Sequence, residues 1–187
     1  MKNVELYTDG ACRGNPGPGG YGVILIYGKH RKELSAGFRW TTNNRMELTA
    51  LINALLALKE PCRVEIISDS KYLLDALREE WVPKWKKNGW RTAAKQPVLN
   101  RDLWQQLDRL LMTHEPRYRW VKGHSLSPEN NLCDKLAVAA ANSQDLLVDE
   151  AYEAQNPFPG VGQDGPSHGA DADHRQSGSD HLAGGPF

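Results

Sequence analysis

The chain changes hydrophobic period part-way along. Val4-Glu5-Leu6-Tyr7-Thr8, Tyr21 to Tyr27 (YGVILIY) and Arg31 to Trp40 are β-branched and aromatic runs, with Gly28 marking a turn between the last two. Three such runs in quick succession predict antiparallel hairpins. In NNRMELTALINALLALKE the spacing becomes helical, with Leu48, Leu51, Ile52, Leu55 and Leu58 on one face. Asn44 with Glu47 three residues on predicts a capping box, and Pro61 closes the helix. Arg63 to Ser68 (RVEIIS) reads as a buried strand and Ser70 to Glu80 as a helix. Asn100 opens an amphipathic helix through Leu103, Leu107, Leu110 and Leu111, and Arg117 to Val121 is a fifth strand. Ser127-Pro128 makes an N-cap and first-turn pair for a helix to about Ala141. Hairpins followed by alternating strands and helices imply an α/β fold, a five-stranded mixed sheet flanked by helices.

From about residue 143 the periodicity stops. The segment NPFPGVGQDGPSHGADADHRQSGSDHLAGGPF is rich in Gly, Pro, Asp and Ser, so residues 143–187 are expected to be a disordered tail on a domain of residues 1–142. Charge follows the same division. The 23 Lys/Arg and 23 Asp/Glu split as 22 against 15 in residues 1–142 and 1 against 8 in the remainder. A basic body with an acidic end points to a polyanionic partner. Such a tail either competes with nucleic acid for the basic surface or aids solubility. Three cysteines at wide spacing (Cys12, Cys62, Cys133) suggest neither a disulfide framework nor a zinc site. Without a signal-peptide pattern or an apolar run of about 18 residues, the expected setting is the cytoplasm.

Four carboxylates stand at element ends or inward positions. Asp9 closes the first strand and Asp69 closes RVEIIS; Glu47 lies in the first turn of its helix and Asp134 within the last one. Neighbouring strand ends are about 4.8 Å apart, so the first two acids can meet in the crevice where open α/β sheets bind ligands. Converging carboxylates repel one another, and a hard cation relieves the repulsion. An all-oxygen set points to Mg²⁺ or Mn²⁺, and two ions form the clamp used in phosphodiester cleavage. Singly, each acid has a plainer reading: Asp9-Gly10 as a turn, Glu47 as part of a capping box, Asp69 as a helix cap, Asp134 as a surface acid.

Two further stretches stand out. Gly14, Gly17, Gly19 and Gly20 with Pro16 and Pro18 lack the Gly-Lys-Ser/Thr ending of a phosphate loop. They read either as a tight strand connection or as a place where a ligand approaches bare backbone. Between Trp81 and Arg101 lie Lys84, Lys86, Lys87, Arg91, Lys95 and Arg101, no acids, and Trp81, Trp85 and Trp90. An acid-free basic run is a natural phosphate-binding surface, while the tryptophans also suit packing of the insert onto the body.

YTDGACRGNPGPGGYG, TTNNRMEL, SDSKYL, GWRTAAKQPVLNRDLW and WVKGHSLSPENNLCDKLA, in this order, closely resemble bacterial ribonuclease HI over about residues 3–142. The resemblance implies a ribonuclease H-like fold and cleavage of the RNA strand of RNA–DNA hybrids with two Mg²⁺ ions, leaving 3′-hydroxyl and 5′-phosphate ends. It assigns Asp9, Glu47, Asp69 and Asp134 to the metals, Asp9 bridging both, and His124 to proton movement or product release. It further implies RNA-strand contacts from Cys12, Asn15, Asn43, Asn44 and Lys71. DNA-strand contacts fall to Thr42 and Asn100, which match a phosphate pocket, and to a basic handle with Trp81, Trp85, Lys86, Lys87, Arg91 and Lys95. The expected partner is the hybrid duplex, met by a monomer with no stable protein partner and no membrane. Departures are Trp40 in place of Arg, Leu126 in place of Gly, Asn131 in place of Glu and Lys71 in place of Gln. The rival readings are a hybrid-binding module without catalysis and an integrase- or resolvase-like nuclease. All four acids argue against the first; the tryptophan-rich insert and the TTNN block disfavour the second.

Overall fold

Eleven elements follow one another in the computed structural model, which describes residues 1–123 and 127–159. They are β1 (Lys2–Cys12), β2 (Gly17–Tyr27), β3 (His30–Thr41), α1 (Asn43–Leu56), β4 (Cys62–Ser68), α2 (Lys71–Arg78), α3 (Trp81–Lys87), α4 (Arg101–Leu111), β5 (Glu115–Trp120), α5 (Pro128–Ala141) and α6 (Glu150–Glu153). The five strands form one mixed sheet in the order β3-β2-β1-β4-β5. The hairpin pairs are antiparallel, whereas β1–β4 and β4–β5 are parallel.

Alternation along the central strands supplies two apolar layers, because successive side chains point to opposite faces. Leu6, Val23 and Ile66 face the larger core, which they share with Leu48, Leu51 and Leu55 of α1 and Trp104 and Leu107 of α4. Tyr7, Ile24 and Ile67 face the smaller layer under α5, with Cys133. The helix on that side lies almost on the backbone of β2. A Cβ at Gly22 would collide with the Cys133 carbonyl, and one at Gly20 would lie 2.6 Å from the Ala141 amide nitrogen.

The structure corrects several expectations. β2 begins at Gly17, so Gly17, Gly19 and Gly20 are buried strand residues whose missing Cβ atoms make room for neighbouring backbone and side chains. They are not an open wall for a ligand. The N-cap of α1 is Thr42, whose hydroxyl accepts from the Arg45 amide, rather than Asn44. Glu47 is thereby released from the expected capping box. Asn100 occupies the cap position of α4 but with a left-handed backbone (φ 58°) and no side-chain cap bond. Ser127 and Pro128 start α5 as expected, the Ser127 hydroxyl accepting from the Asn130 amide.

The expected tail is also corrected over residues 143–159. Leu147 bridges to Phe38, its amide donating to the Gly37 carbonyl at 2.8 Å while its own carbonyl accepts from the Arg39 amide at 2.9 Å. Arg39 makes a fork-like pair with Glu153 (2.8 and 3.0 Å), and Phe158 packs edge-on against Trp40 at 6.0 Å. Composition misleads here because a few well-placed residues suffice to dock a polar segment on an edge strand. Residues 160–187 lie outside the described part.

Candidate active site

β1 runs three residues past Asp9, so this acid does not close its strand. It pairs instead with Gly22 of β2 in mid-strand. On its other side β1 pairs with β4 in parallel, Tyr7 opposite Ile67. The same register carried two residues further sets Asp9 level with Asp69, just beyond Ser68 where β4 ends. The site therefore opens where one strand outlasts its parallel neighbour. Glu47 comes from the first turns of α1. Gly10 lets that helix come close, since a Cβ there would lie 2.6 Å from the Glu47 amide nitrogen.

Asp9, Glu47 and Asp69 each offer a carboxylate oxygen within 4.8 Å of the others. Asp9 is 6% exposed and Glu47 4%, so two of the three charges sit in a poorly solvated place. Burial, followed by the Asp69 and Asp134 charges, pushes the Asp9 carboxyl up to about 7, against one opposing hydrogen bond from the Gly10 amide. Burial, then Asp9 and Asp69, drives Glu47 well above its ordinary range. Asp134 lies on α5, half-exposed, outside the trio but near enough to act on Asp9. The approach of α5 over Gly22, the strand partner of Asp9, accounts for that proximity.

One oxygen of Glu47 is buried with no hydrogen-bond partner among the described residues. An unpartnered buried carboxylate oxygen is costly in a protein interior. In an all-oxygen cluster it fits a missing hard cation. The three acids thus suit a divalent metal, and Asp134 stands beside them as a further oxygen donor.

Two other groups of expected residues are brought together. The Asn15 side-chain oxygen accepts from the Asn43 amide at 3.2 Å, and the Cys12 thiol faces the Gly17 and Thr41 carbonyls at 3.5 and 3.6 Å. Cys12, Asn15, Asn43 and exposed Asn44 therefore gather around the start of α1. Thr42 and Asn100 meet through Arg45, whose amide donates to the Thr42 hydroxyl and whose guanidinium reaches the Asn100 oxygen at 3.4 Å. Asn100 also donates to the Tyr72 hydroxyl at 3.1 Å.

The handle is more integrated than its composition suggested. Trp85 contacts Trp104 of the core (5.5 Å between centroids), with Trp81 and Trp90 at 6.0 and 6.5 Å. Lys86 is paired with Asp108 at 2.7 Å, an acid supplied by α4 and invisible within the insert. Lys87 makes no ion pair among the described residues. Arg91 and Lys95 are exposed and tied together by a guanidinium–carbonyl bond of 3.0 Å. Lys71 opens α2, two residues after Asp69, with its ammonium over the Trp120 ring. His124 lies outside the described residues.

Arg45 is the residue the sequence concealed. It is 4% exposed and donates to Asp149 from Nε and Nη2 (2.7 and 2.9 Å) and to Asp102 from Nη1 and Nη2 (2.9 and 2.7 Å). Burial works against its charge, but Asp102 and Asp149 outweigh that effect and raise its pKa. An arginine directly before the buried run Met46-Glu47-Leu48 was the available signal. Its partners, 57 and 104 residues away, were not readable.

Acids gathered beyond a parallel strand end, on a mixed sheet carrying a basic aromatic arm, define an enzyme of phosphodiester cleavage. The comparisons make the class particular. The family model described as RNase H matches residues 1–142. The chain is 54% identical over 153 residues to a ribonuclease H of Aeromonas hydrophila, covering 82% of this chain and 99% of that one. It is 61% identical over 137 residues to a ribonuclease H of Acetivibrio thermocellus, covering 73% of this chain and 93% of the relative. Among solved structures it is similar to LC9-RNase H1, a type 1 RNase H with the type 2 active-site motif. That match has a TM-score of 0.69 and 32% identity, over 85% and 82% of the two chains. It is also similar to LC11-RNase H1, solved in complex with an RNA/DNA hybrid. There the TM-score is 0.58 and the identity 26%, over 74% of this chain and 96% of the other. This chain belongs to the ribonuclease H family.

Proposed function

We propose that the chain hydrolyses the RNA strand of an RNA–DNA hybrid at the Asp9, Glu47, Asp69 and Asp134 site, with two Mg²⁺ ions, leaving 5′-phosphate and 3′-hydroxyl ends. The observation that carries the reading is the trio of carboxylates within 4.8 Å, two of them buried. Bound Mg²⁺, or Mn²⁺ in its place, would neutralise the acids and supply the Lewis acidity that activates a water and steadies the leaving oxygen. The protein's part is to hold four oxygen donors together, two of them, Asp9 and Glu47, shielded from solvent. By the family resemblance, Asp9 would be the donor that serves both ions.

Cys12, Asn15, Asn43, Asn44 and Lys71 are assigned to the RNA strand, whose 2′-hydroxyl separates it from DNA. Thr42, Asn100, Trp81, Trp85, Lys86, Lys87, Arg91 and Lys95 are assigned to the DNA strand. His124 is assigned to proton movement or product release, a task suited to a group that titrates near neutrality. The catalytic unit reaches residue 159 in this reading, because Asp149 supports the helix that carries Glu47. The protein works as a monomer in the cytoplasm, where the three free thiols persist. Among the described residues no helix is long and apolar enough to cross a membrane.

The test uses labelled RNA–DNA hybrid, double-stranded RNA and double-stranded DNA with Mg²⁺ or EDTA. Metal-dependent cutting of the hybrid's RNA alone is expected. No cleavage of the hybrid would leave a binding module, and equal cutting of duplex DNA would favour a resolvase-like enzyme.

A further inference from the structure

The turn from β4 into α2 carries two functional charges of opposite sign, Asp69 and Lys71, one on each side of Ser70, the helix cap. Trp120, the last residue of β5, grips both flanks of this turn. Its indole N–H donates to the Asp69 backbone carbonyl at 3.1 Å, and its ring lies 5.5 Å from the Lys71 ammonium. The strand register sets Trp120 opposite Ser68, so the ring is delivered by the sheet itself. Below it the Val121 amide donates to the Ser68 carbonyl at 3.1 Å. Trp120 is 40% exposed, which is high for a large aromatic side chain and unexplained by core packing.

Lys71 is exposed and makes no ion pair among the described residues, although Asp69 lies only two positions away. Nearby arginines are committed: Arg119 pairs with Glu65, and Arg78 donates to the Tyr118 carbonyl. A flexible lysine beside a carboxylate cluster has two fates. It can collapse onto the acids, or it can be held away from them with its charge intact. An aromatic face achieves the second, since cation–π attraction is about 0.5–1 kcal/mol at exposed sites and leaves the ammonium's outer side open.

We propose that Trp120 is a positioning residue that seats Lys71 at the rim of the carboxylate site, where its ammonium takes a phosphate of the strand being cut. The inference rests on the hybrid-cleaving reading of the site and adds to it one cation and the residue that aims it. A polyanion entering a cluster of acids needs a compensating cation close to the point of attack. Lys71, carried on the same turn as Asp69, moves with the cluster rather than with the handle. Trp120 touches no substrate in this account; it acts through Lys71.

The experiment measures hybrid binding without metal, as a function of salt, together with kcat and KM in Mg²⁺. The variants are Lys71→Met, Trp120→Leu, Trp120→Phe and the Lys71→Met/Trp120→Leu pair. Lys71→Met is expected to flatten the slope of log K against log salt by about 0.9, the loss of one phosphate contact. KM should rise several-fold while kcat stays within about twofold. Trp120→Leu should reproduce both changes, and Trp120→Phe, which keeps an aromatic face but lacks the N–H, should restore the slope. The double variant should be no worse in slope or KM than Lys71→Met. Additive losses in the double variant, or a wild-type slope in Trp120→Leu with an unchanged melting temperature, would overturn the proposal. If Trp120→Leu fails to fold, the slope of Lys71→Met and the recovery in Trp120→Phe decide the matter. Failure of the underlying reading looks different: the unaltered protein would not cut the hybrid at all.

Discussion

Arg45 and Asp149 meet at 2.7 Å, both buried, and tie the first turn of the helix that bears Glu47 to a segment 104 residues further on. Thr41 donates its hydroxyl to the same carboxylate at 2.8 Å, so Asp149 holds the end of β3 and the start of α1 together. Breaking a buried ion pair by removing one partner costs about 3–5 kcal/mol, with the lower end applying where the surviving charge keeps a second partner, as Arg45 keeps Asp102. Asp149→Ala should therefore lower unfolding stability by that order in urea titrations. A chain ending at residue 142 should melt well below one ending at 159. Equal melting temperatures would show that the docked segment contributes nothing.

Asp9 binds its proton more tightly in the folded protein than in the unfolded chain, its carboxyl being pushed from 3.8 to about 7 by burial and the neighbouring acids. The folded state then holds more protons over that window, so stability of the metal-free protein should fall as pH rises from about 4 to about 7. Asp9→Asn should flatten this part of the profile, and added Mg²⁺ should offset the loss near neutral pH. Melting curves in EDTA across the window check both.

The same Asp9→Asn substitution should abolish cleavage while leaving hybrid binding in place. Metal-assisted charge stabilisation is worth several kcal/mol, so a rate loss of about a thousandfold or more is expected. A rate near that of the unaltered protein would remove Asp9 from the centre of the reaction.

Gly22→Ala tests how Asp134 comes near Asp9. The new methyl would meet the Cys133 carbonyl, which is backbone and cannot swing aside. Overpacking of this kind costs about 1–3 kcal/mol. Displacing α5 should also lower kcat more than it raises KM, because Asp134 moves with the helix while the hybrid-binding residues stay in place.

Lys86 and Lys87 should differ, although they are neighbours in a basic run. Lys87→Ala should reduce the salt slope of hybrid binding by about 0.9. Lys86 must first release Asp108, so Lys86→Ala should change the slope less. Matching slopes for the two variants would mean that the Lys86–Asp108 pair opens freely.

Much of this molecule is legible from local pattern. The strands announce themselves by β-branched runs, α1 by its leucine spacing, and α5 by Ser127 and Pro128, because each signal depends on residues a few positions apart. The four acids could be singled out for the same reason, standing where apolar residues would otherwise be. Residues 143–159 are not legible this way, since their order comes from partners in β3 and α1 and not from their own composition. The handle's free charge is hidden for a related reason: Asp108 reaches Lys86 from another helix.

The sequence by itself determined the elements, their order, and which acids were candidates for the chemistry. The tertiary structure alone decided that β1 outlasts β4 at Asp9, that glycine-lined backbone lets α5 bring Asp134 close, and that Arg45 is buried between Asp102 and Asp149. Those outcomes depend on register and on close approach between distant segments. A charge or a glycine reveals its role only when the opposing surface is in place.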